Sequence, residues 1–255
     1  MNLIQKLFSA AVPAMLLILF CGCAATSDSV TVSDITLEEL ERRMIAKCDP
    51  EGRYRNSKSF LFQQMVRIPQ LLDDDVEQLV ETKMVLPKRF RITTFKDNEP
   101  RQIICSNGDF GWQADASGKS VKLLDGERLQ QLITLSRLSA PGQGYRSIFK
   151  DVKISRCVND EGDFYRLDCV GRGGNTFRIY VCAKEFLQRR MCGDLKLQYG
   201  SLKYDSRITD YALFNGVLIP KRTESVQNGE KQIIEVIKFE LNPTIPESDF
   251  LPPVF

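Results

Sequence analysis

The chain has 255 residues and a formal net charge of +2, with 43% hydrophobic and 27% charged residues. This composition is typical of a globular protein with a substantial core. The nearly balanced charge argues against a nucleic-acid binder, which needs a basic surface. Histidine is absent, so the commonest general base and the usual zinc ligand are missing. An enzyme would have to use carboxylates, Lys, Tyr or Cys, and the mature sequence has neither a C-x-x-C motif nor a Cys/His cluster. We therefore predict a protein that is not an enzyme and has no catalytic residue, cofactor or metal site.

The N-terminus has the organisation of a secretory signal. Lys6 precedes an almost wholly apolar run over residues 7–20, and small residues follow this run. The run is shorter than the roughly 20 residues that a membrane-spanning helix needs. We therefore predict a signal peptide over residues 1–22. The alternative is an uncleaved anchor helix that continues to Ala25.

The residues Phe20-Cys21-Gly22-Cys23 resemble a bacterial lipobox, in which the residue before the lipidated cysteine is small. Cys23 fits this pattern, whereas Cys21 follows the bulky Phe20. The resemblance implies lipid on Cys23, and the Ala24 that follows favours sorting to the outer membrane, facing the periplasm. Several acyl chains on one cysteine form a lasting membrane anchor. Residues 23–34 are then predicted to be the lipidated cysteine and a flexible tether to one domain over 35–255.

The first helix is predicted from its capping residues. Thr36 and Glu39 form a capping box, and an apolar stripe with helical spacing follows it at Leu37, Leu40, Met44 and Cys48. The segment that begins at Asp49-Pro50 ends this helix.

From about residue 57 the apolar residues alternate with polar ones, as in an antiparallel sheet with one apolar face. Turn sequences such as Asn228-Gly229 separate the runs. We predict strands near 57–68, 77–86, 88–96, 101–106, 110–116, 150–158, 163–170, 175–183, 185–192, 203–214, 216–226 and 231–241.

A second helix interrupts the strands. Leu129, Leu132, Ile133 and Ser136 form a stripe, with Asp125 as a cap and 140–142 as the terminator. The predicted fold class is therefore α+β and mostly antiparallel β: a large, curved, unclosed half-barrel of strands wrapped over a few helices.

This order of elements resembles the LolA/LolB-type superfamily of periplasmic and outer-membrane lipoprotein carriers. The resemblance covers essentially the whole mature chain and depends on the order of individually weak motifs. These are the first helix, residues 86–91, Ser106-Asn107-Gly108 with Gly111-Trp112, Tyr211 with residues 214–220, and residues 242–246 with Asp249-Phe250.

The resemblance implies a concave apolar face that accepts acyl chains or another hydrophobic ligand, with lipid or lipoprotein transport as the expected role. The candidate lining residues are Phe90, Ile92, Phe177, Ile179 and Val181, and the alternative is that they form a packed core. A second hypothesis is a structural lipoprotein that uses the same fold as an envelope scaffold. The expected partners are the membrane, through Cys23, and an acyl-chain or lipoprotein cargo.

Six cysteines follow Cys23, at positions 48, 105, 157, 169, 182 and 192. If the predicted turns are tight, Cys157 faces Phe164 and Cys169 faces a residue near Thr176, so neighbouring strands form no disulfide. The thiols are either bridged between other elements or free. Two further motifs have simple interpretations, because residues 171–174 suit a hairpin turn and residues 73–75 suit a solvated connection.

Overall fold

The computed structural model describes residues 28–70, 75–115, 117–118, 120–124, 126–138, 144–171, 174–197 and 200–252. These residues form one antiparallel sheet of fourteen strands. The strands are β1 (Ser29–Val32), β2 (Ser59–Ile68), β3 (Val76–Val85), β4 (Arg89–Lys96), β5 (Glu99–Ser106), β6 (Gly111–Asp115), β7 (Val121–Leu123), β8 (Asp151–Asn159), β9 (Gly162–Val170), β10 (Thr176–Cys182), β11 (Gln188–Leu197), β12 (Gly200–Phe214), β13 (Val217–Gln227) and β14 (Glu230–Leu241).

Three α-helices accompany the sheet: α1 (Leu37–Cys48), α2 (Gly126–Leu138) and the single turn α3 (Tyr145–Ile148). A 3₁₀ turn, Glu247–Phe250, lies near the C-terminus. Within the described part of the chain, no helix has both the length and the apolar character needed to span a bilayer.

The strand order is β1-β8-β9-β10-β11-β12-β13-β14-β2-β3-β4-β5-β6-β7. Neighbours in this order follow one another in the chain except at β1–β8 and at β14–β2. The β14–β2 pairing joins the two halves of the chain, for example through Phe239 opposite Phe62. The end strands β1 and β7 do not pair with each other, so the sheet is an unclosed half-barrel, as the sequence predicts.

Helices α1, α2 and α3 pack against one face of the sheet, which we call the concave face. The Thr36 half of the predicted capping box is formed, because the Glu39 backbone N–H donates to the Thr36 hydroxyl at 3.2 Å. The Glu39 carboxylate instead accepts hydrogen bonds from Arg42 and Arg43. The stripe of α1 buries Leu37 and Leu40 completely. The other face, the convex face, carries ion pairs between neighbouring strands, such as Arg190 with Asp205 at 2.6 Å.

The convex face of β4–β6 is covered by the C-terminal segment. Phe250 packs on Trp112 and Cys105 in a small buried cluster. Trp112 donates its ring N–H to the Phe250 carbonyl at 3.4 Å, and Lys83 pairs with Asp249 at 2.9 Å. The segment therefore replaces water over a part of the sheet that would otherwise expose an aromatic side chain.

The prediction of a flexible tether up to residue 34 is wrong for residues 29–32. These residues form β1, which pairs with β8 from Ser29 opposite Val158 to Val32 opposite Ser155. Their small size and polarity suggested a tether, but Val30, Thr31 and Val32 are β-branched and suit an edge strand. The folded part of the chain therefore begins before residue 35.

Most predicted strands are confirmed, with differences near β11. The predicted strand 185–192 begins later, at Gln188, and continues to Leu197. The strand begins later because residues before it form a turn. In this turn Phe186 has a positive φ of 58°, and its N–H donates to the Cys182 carbonyl. The sequence analysis missed β7, α3 and the 3₁₀ turn. Several other predictions fall outside the described residues: the signal peptide, Cys23, residues 73–74, Asp125, residues 140–142 and residues 172–173.

Candidate functional site

The concave face carries two apolar clusters, each beneath its own helix. The α1 cluster combines α1 and α3 with β8–β10 and β12, and its buried members are Leu37, Leu40, Tyr145, Ile148, Phe149, Val152, Tyr165, Leu167, Cys169, Phe177, Ile179, Val181 and Tyr204. The α2 cluster combines α2 with β2–β4 and β13–β14, and its buried members are Tyr54, Phe60, Phe62, Met84, Phe90, Leu129, Ile133, Val217, Ile219, Val236 and Phe239.

The α1 cluster is held by contacts between its two helices. The Tyr145 backbone N–H, at the start of α3, donates to the Glu41 carboxylate of α1. Burial raises the pKa of Glu41, and the hydrogen bond from Tyr145 opposes this rise. Arg146 pairs with Glu38 at 3.1 Å beside it. The two helices therefore cover β8–β10 as one unit.

The α2 cluster contains a row of aromatic rings. Tyr54 and Phe60 stack with their centroids 4.4 Å apart, and Phe62 lies 4.6 Å from Phe239 across the β14–β2 pairing. Leu129 and Ile133 of α2 pack on this cluster. Aromatic pairs of this kind contribute beyond the area that they bury. The row therefore fixes the pairing that joins the two halves of the sheet.

All five predicted lining residues lie on the concave face, but the structure does not bring them together. Phe177, Ile179 and Val181 are buried in the α1 cluster, and Phe90 is buried in the α2 cluster. Ile92 is only partly buried and lies at the edge of the α2 cluster. Four of the five are thus packed in clusters, and Ile92 alone among them retains accessible surface.

Several apolar residues at the margin of the α2 cluster are only partly buried. Ile92 of β4 lies directly opposite Ile104 of β5, so their side chains share this face. Leu132 of α2 and Leu124 also pack, partly buried, against the α2 cluster. We call these four residues the α2 edge. Sequence reasoning missed Ile104. Alternation along β5 places Ile104 on the same face as Gln102 and Ser106, and Cys105 on the other face.

The clusters are mainly apolar, but some polar groups lie among them, and the buried carboxylate of Asp49 is near Tyr54. The hydroxyls of Tyr54 and Tyr204 are buried without a hydrogen-bond partner. Burial raises the pKa of both phenols, so they stay protonated at neutral pH. Over the described ranges, no group of three or more acidic, cysteine or histidine residues could hold a metal ion. The arrangement of the two clusters suits an apolar ligand.

The six cysteines after Cys23 are free. Cys157 lies opposite Phe164, as predicted, and Cys169 lies opposite Phe177, one residue beyond Thr176. Burial raises the pKa of Cys105 and of Cys169 to about 12. The thiols of Cys105 and Cys169 are therefore poor nucleophiles and act as small apolar side chains.

No protein-family model matches the sequence, and no curated protein matches it either. Solved structures do match. A LolA superfamily protein from Nitrosomonas europaea has a TM-score of 0.58 and 14% identity, over 85% of this chain and 98% of that one. A protein domain from Vibrio parahaemolyticus, described as outer membrane lipoprotein-sorting, has a TM-score of 0.53 and 12% identity, over 84% and 97%.

A third structure, of a DUF1329 family protein from Desulfovibrio piger, has a TM-score of 0.54 and 11% identity, over 84% of this chain and 95% of that one. At such low identity the likeness is one of fold. The sheet order and these comparisons together confirm the predicted fold, which is the LolA-like half-barrel.

Proposed function

We propose that this LolA-like protein binds an acyl chain, or another apolar ligand, on its concave face while lipid on Cys23 holds it at the outer membrane. The observation that carries the proposal is the concave face itself, where two apolar clusters lie under short helices in an unclosed half-barrel. The fold is shared with a LolA superfamily protein and a lipoprotein-sorting domain, which supports a carrier or binding role rather than catalysis.

The α2 edge is the place where such a ligand gains most. Ile92, Ile104, Leu124 and Leu132 are already gathered there and are only partly buried. An acyl chain laid between α2 and β4–β5 would cover this surface at about 25 cal/mol per Å² of apolar area. The fully buried Phe90, Phe177, Ile179 and Val181 would line the site only if a helix moved away from the sheet.

A photoactivatable fatty acid tests this site on the purified, lipidated full chain. Crosslinks are expected on the α2 edge, and Ile92→Phe should reduce them by filling the space beside Ile104. Val226→Phe is the matched control, because Val226 is exposed on the outside of β13 and should leave crosslinking unchanged. Equal crosslinking in parent and Ile92→Phe, or crosslinks spread over the convex face, would contradict the proposed site.

The membrane anchor is tested separately. Cys23→Ser should release the protein from the membrane fraction, and mass spectrometry of the parent should find acyl groups on Cys23. Ala24→Asp should move the anchored protein from the outer to the inner membrane, with Thr26→Asp as the control. A parent chain without acyl groups would end the anchor proposal but leave the ligand proposal standing.

One observation favours the second hypothesis, an envelope scaffold. The side chains of Phe90, Phe177, Ile179 and Val181 are as completely buried as those of an ordinary core. A solid core needs no ligand, and its outer surface would then bind a partner protein. Full chain that carries no extra lipid, takes up no fatty acid and co-purifies with a stoichiometric envelope partner would favour the scaffold.

A further inference from the structure

The first described residues of the chain are fixed on the sheet. Ser29–Val32 pairs with β8, and Asp28, just before β1, lies across from Asn159. The Asn159 side-chain amide donates to the Asp28 carboxylate at 3.0 Å, and the Tyr180 hydroxyl donates to it at 3.2 Å. The Arg166 guanidinium lies 3.5 Å away. Asp28 is thus held by side chains of three neighbouring strands.

This attachment limits the distance between the domain and the lipid. Five peptide units separate Cys23 from Asp28, and an extended chain spans at most about 3.5 Å per residue. The Cα atom of Cys23 therefore lies within roughly 18 Å of the Cα atom of Asp28. A tether free up to residue 34 would allow about twice that distance.

The antiparallel order decides which end of the half-barrel is closest to the lipid. Asp28 lies at the end of the sheet that carries the β8–β9 turn at 160–161 and the β10–β11 turn at 183–187. The β13–β14 turn at 228–229 lies at the opposite end of the strands. A nine-residue strand such as β8 is about 30 Å long, which is more than the tether can span.

The surface at the near end suits contact with lipid. Val30 is 43% exposed on the convex face of β1 and Val158 is 49% exposed on the concave face of β8, so apolar side chains are exposed on both sides of the sheet near this end. The outer edge of β1 pairs with no other strand of the described chain. The acidic Glu161 of the β8–β9 turn pairs with Arg207 at 2.6 Å and with Arg190 at 3.5 Å. This pairing lowers the repulsion between the turn and anionic headgroups.

We propose that the end of the sheet formed by β1 and the β8–β9 hairpin is the bilayer-facing surface of the protein, with Val30 and Val158 on its two sides, held there by the short segment between Cys23 and Asp28. The occupant of this surface is the bilayer that contains the acyl groups of Cys23, and Val30 and Val158 contact its interface. The inference rests on the proposed lipid anchor. The opposite end of the half-barrel, with the β13–β14 turn, then faces away from the attachment point.

Tryptophan quenching in vesicles tests the orientation. The lipidated full chain is reconstituted in phosphatidylcholine vesicles with bromine on the acyl chains, and the parent, with Trp112 alone, gives the baseline. Val30→Trp and Val158→Trp should each add fluorescence that the brominated lipid quenches about twofold, because such quenching requires close contact with the chains. Val226→Trp is the matched control, since Val226 is 39% exposed at the far end, and its added fluorescence should not be quenched.

The outcomes separate the orientation from the anchor. Chain that does not sediment with vesicles contradicts the anchor, whereas anchored chain in which all three tryptophans are quenched equally, or Val226→Trp most, contradicts the orientation. A concentration-dependent dimer that protects Val30→Trp from quenching would assign the β1 edge to a second copy and overturn the proposal. Ten Gly/Ser residues inserted between Thr26 and Ser27 should abolish the quenching of Val158→Trp, while sedimentation persists.

Discussion

The hydroxyl of Tyr180 on β10 donates a hydrogen bond to the carboxylate of Asp28 at 3.2 Å, across 152 residues of sequence. Burial alone raises the pKa of Asp28, but the hydrogen bonds from Asn159 and Tyr180 outweigh it, so the pKa lies below its usual value. The carboxylate is therefore ionised at neutral pH and holds the start of β1 on the sheet.

Asp28→Ala should loosen β1 without unfolding the domain. Hydrogen bonds to a charged group contribute about 1.5–3 kcal/mol, so local opening of residues 29–32 should become at least about tenfold more frequent. Amide hydrogen exchange measures this change, with Asp160→Ala, in the exposed β8–β9 turn, as the control. Unchanged exchange in Asp28→Ala would mean that strand pairing alone holds β1.

Phe250→Ala should uncover the convex face near Trp112. The Phe250 ring is buried against Trp112 and Cys105, so its loss should cost about 3–5 kcal/mol. Trp112 is the only tryptophan, and its emission should shift to the red as water reaches it. Leu251→Ala provides the matched control, because Leu251 is 53% exposed and its truncation should leave emission and stability unchanged.

Gly193→Ala should break the pairing of β10 with β11. A Cβ atom at Gly193 would lie 2.2 Å from the Thr176 carbonyl oxygen, which is backbone and cannot move aside without disturbing the ladder. We expect a loss of about 2–3 kcal/mol in urea unfolding. At Gly126 of α2 no atom lies within 4 Å of an added Cβ, so Gly126→Ala should be neutral or stabilising. Equal stability of the two variants would contradict this account.

The stability of the fold should fall in mildly alkaline solution. Burial raises the pKa of Cys105 and Cys169 from 9.0 to about 12, so the folded state retains protons that the unfolded chain loses above pH 9. The unfolded state is then favoured as the pH rises from about 9 to 12, by about 1.4 kcal/mol per thiol near pH 10. Urea unfolding at pH 8 and pH 10 measures this loss. Burial raises the pKa of Cys48 as well, to about 11, so Cys169→Ala should reduce the loss by about 1.4 kcal/mol without abolishing it. An identical loss in Cys169→Ala would assign it to other groups.

Local patterns in the sequence determined much of the fold. The capping box at Thr36 and Glu39 predicted the start of α1, because capping involves residues within one turn. Alternation of apolar and polar residues predicted which face of β4 and β10 is buried, including Phe90 and Ile179. The lipobox at Cys23 is likewise a local motif, and the lipidation that it indicates stays a prediction.

Contacts between distant residues were decided only by the tertiary structure. The pairing of β1 with β8 depends on Asp28 meeting Asn159 and Tyr180, more than 130 residues away. The division of the concave face into two clusters depends on where α1 and α2 pack on the sheet. The sequence therefore could not predict that Phe90 and Phe177 lie in different clusters. Alternation along a strand determines which face a side chain occupies, whereas its neighbours on that face depend on strand order and helix placement, which are set by the packing of the whole chain.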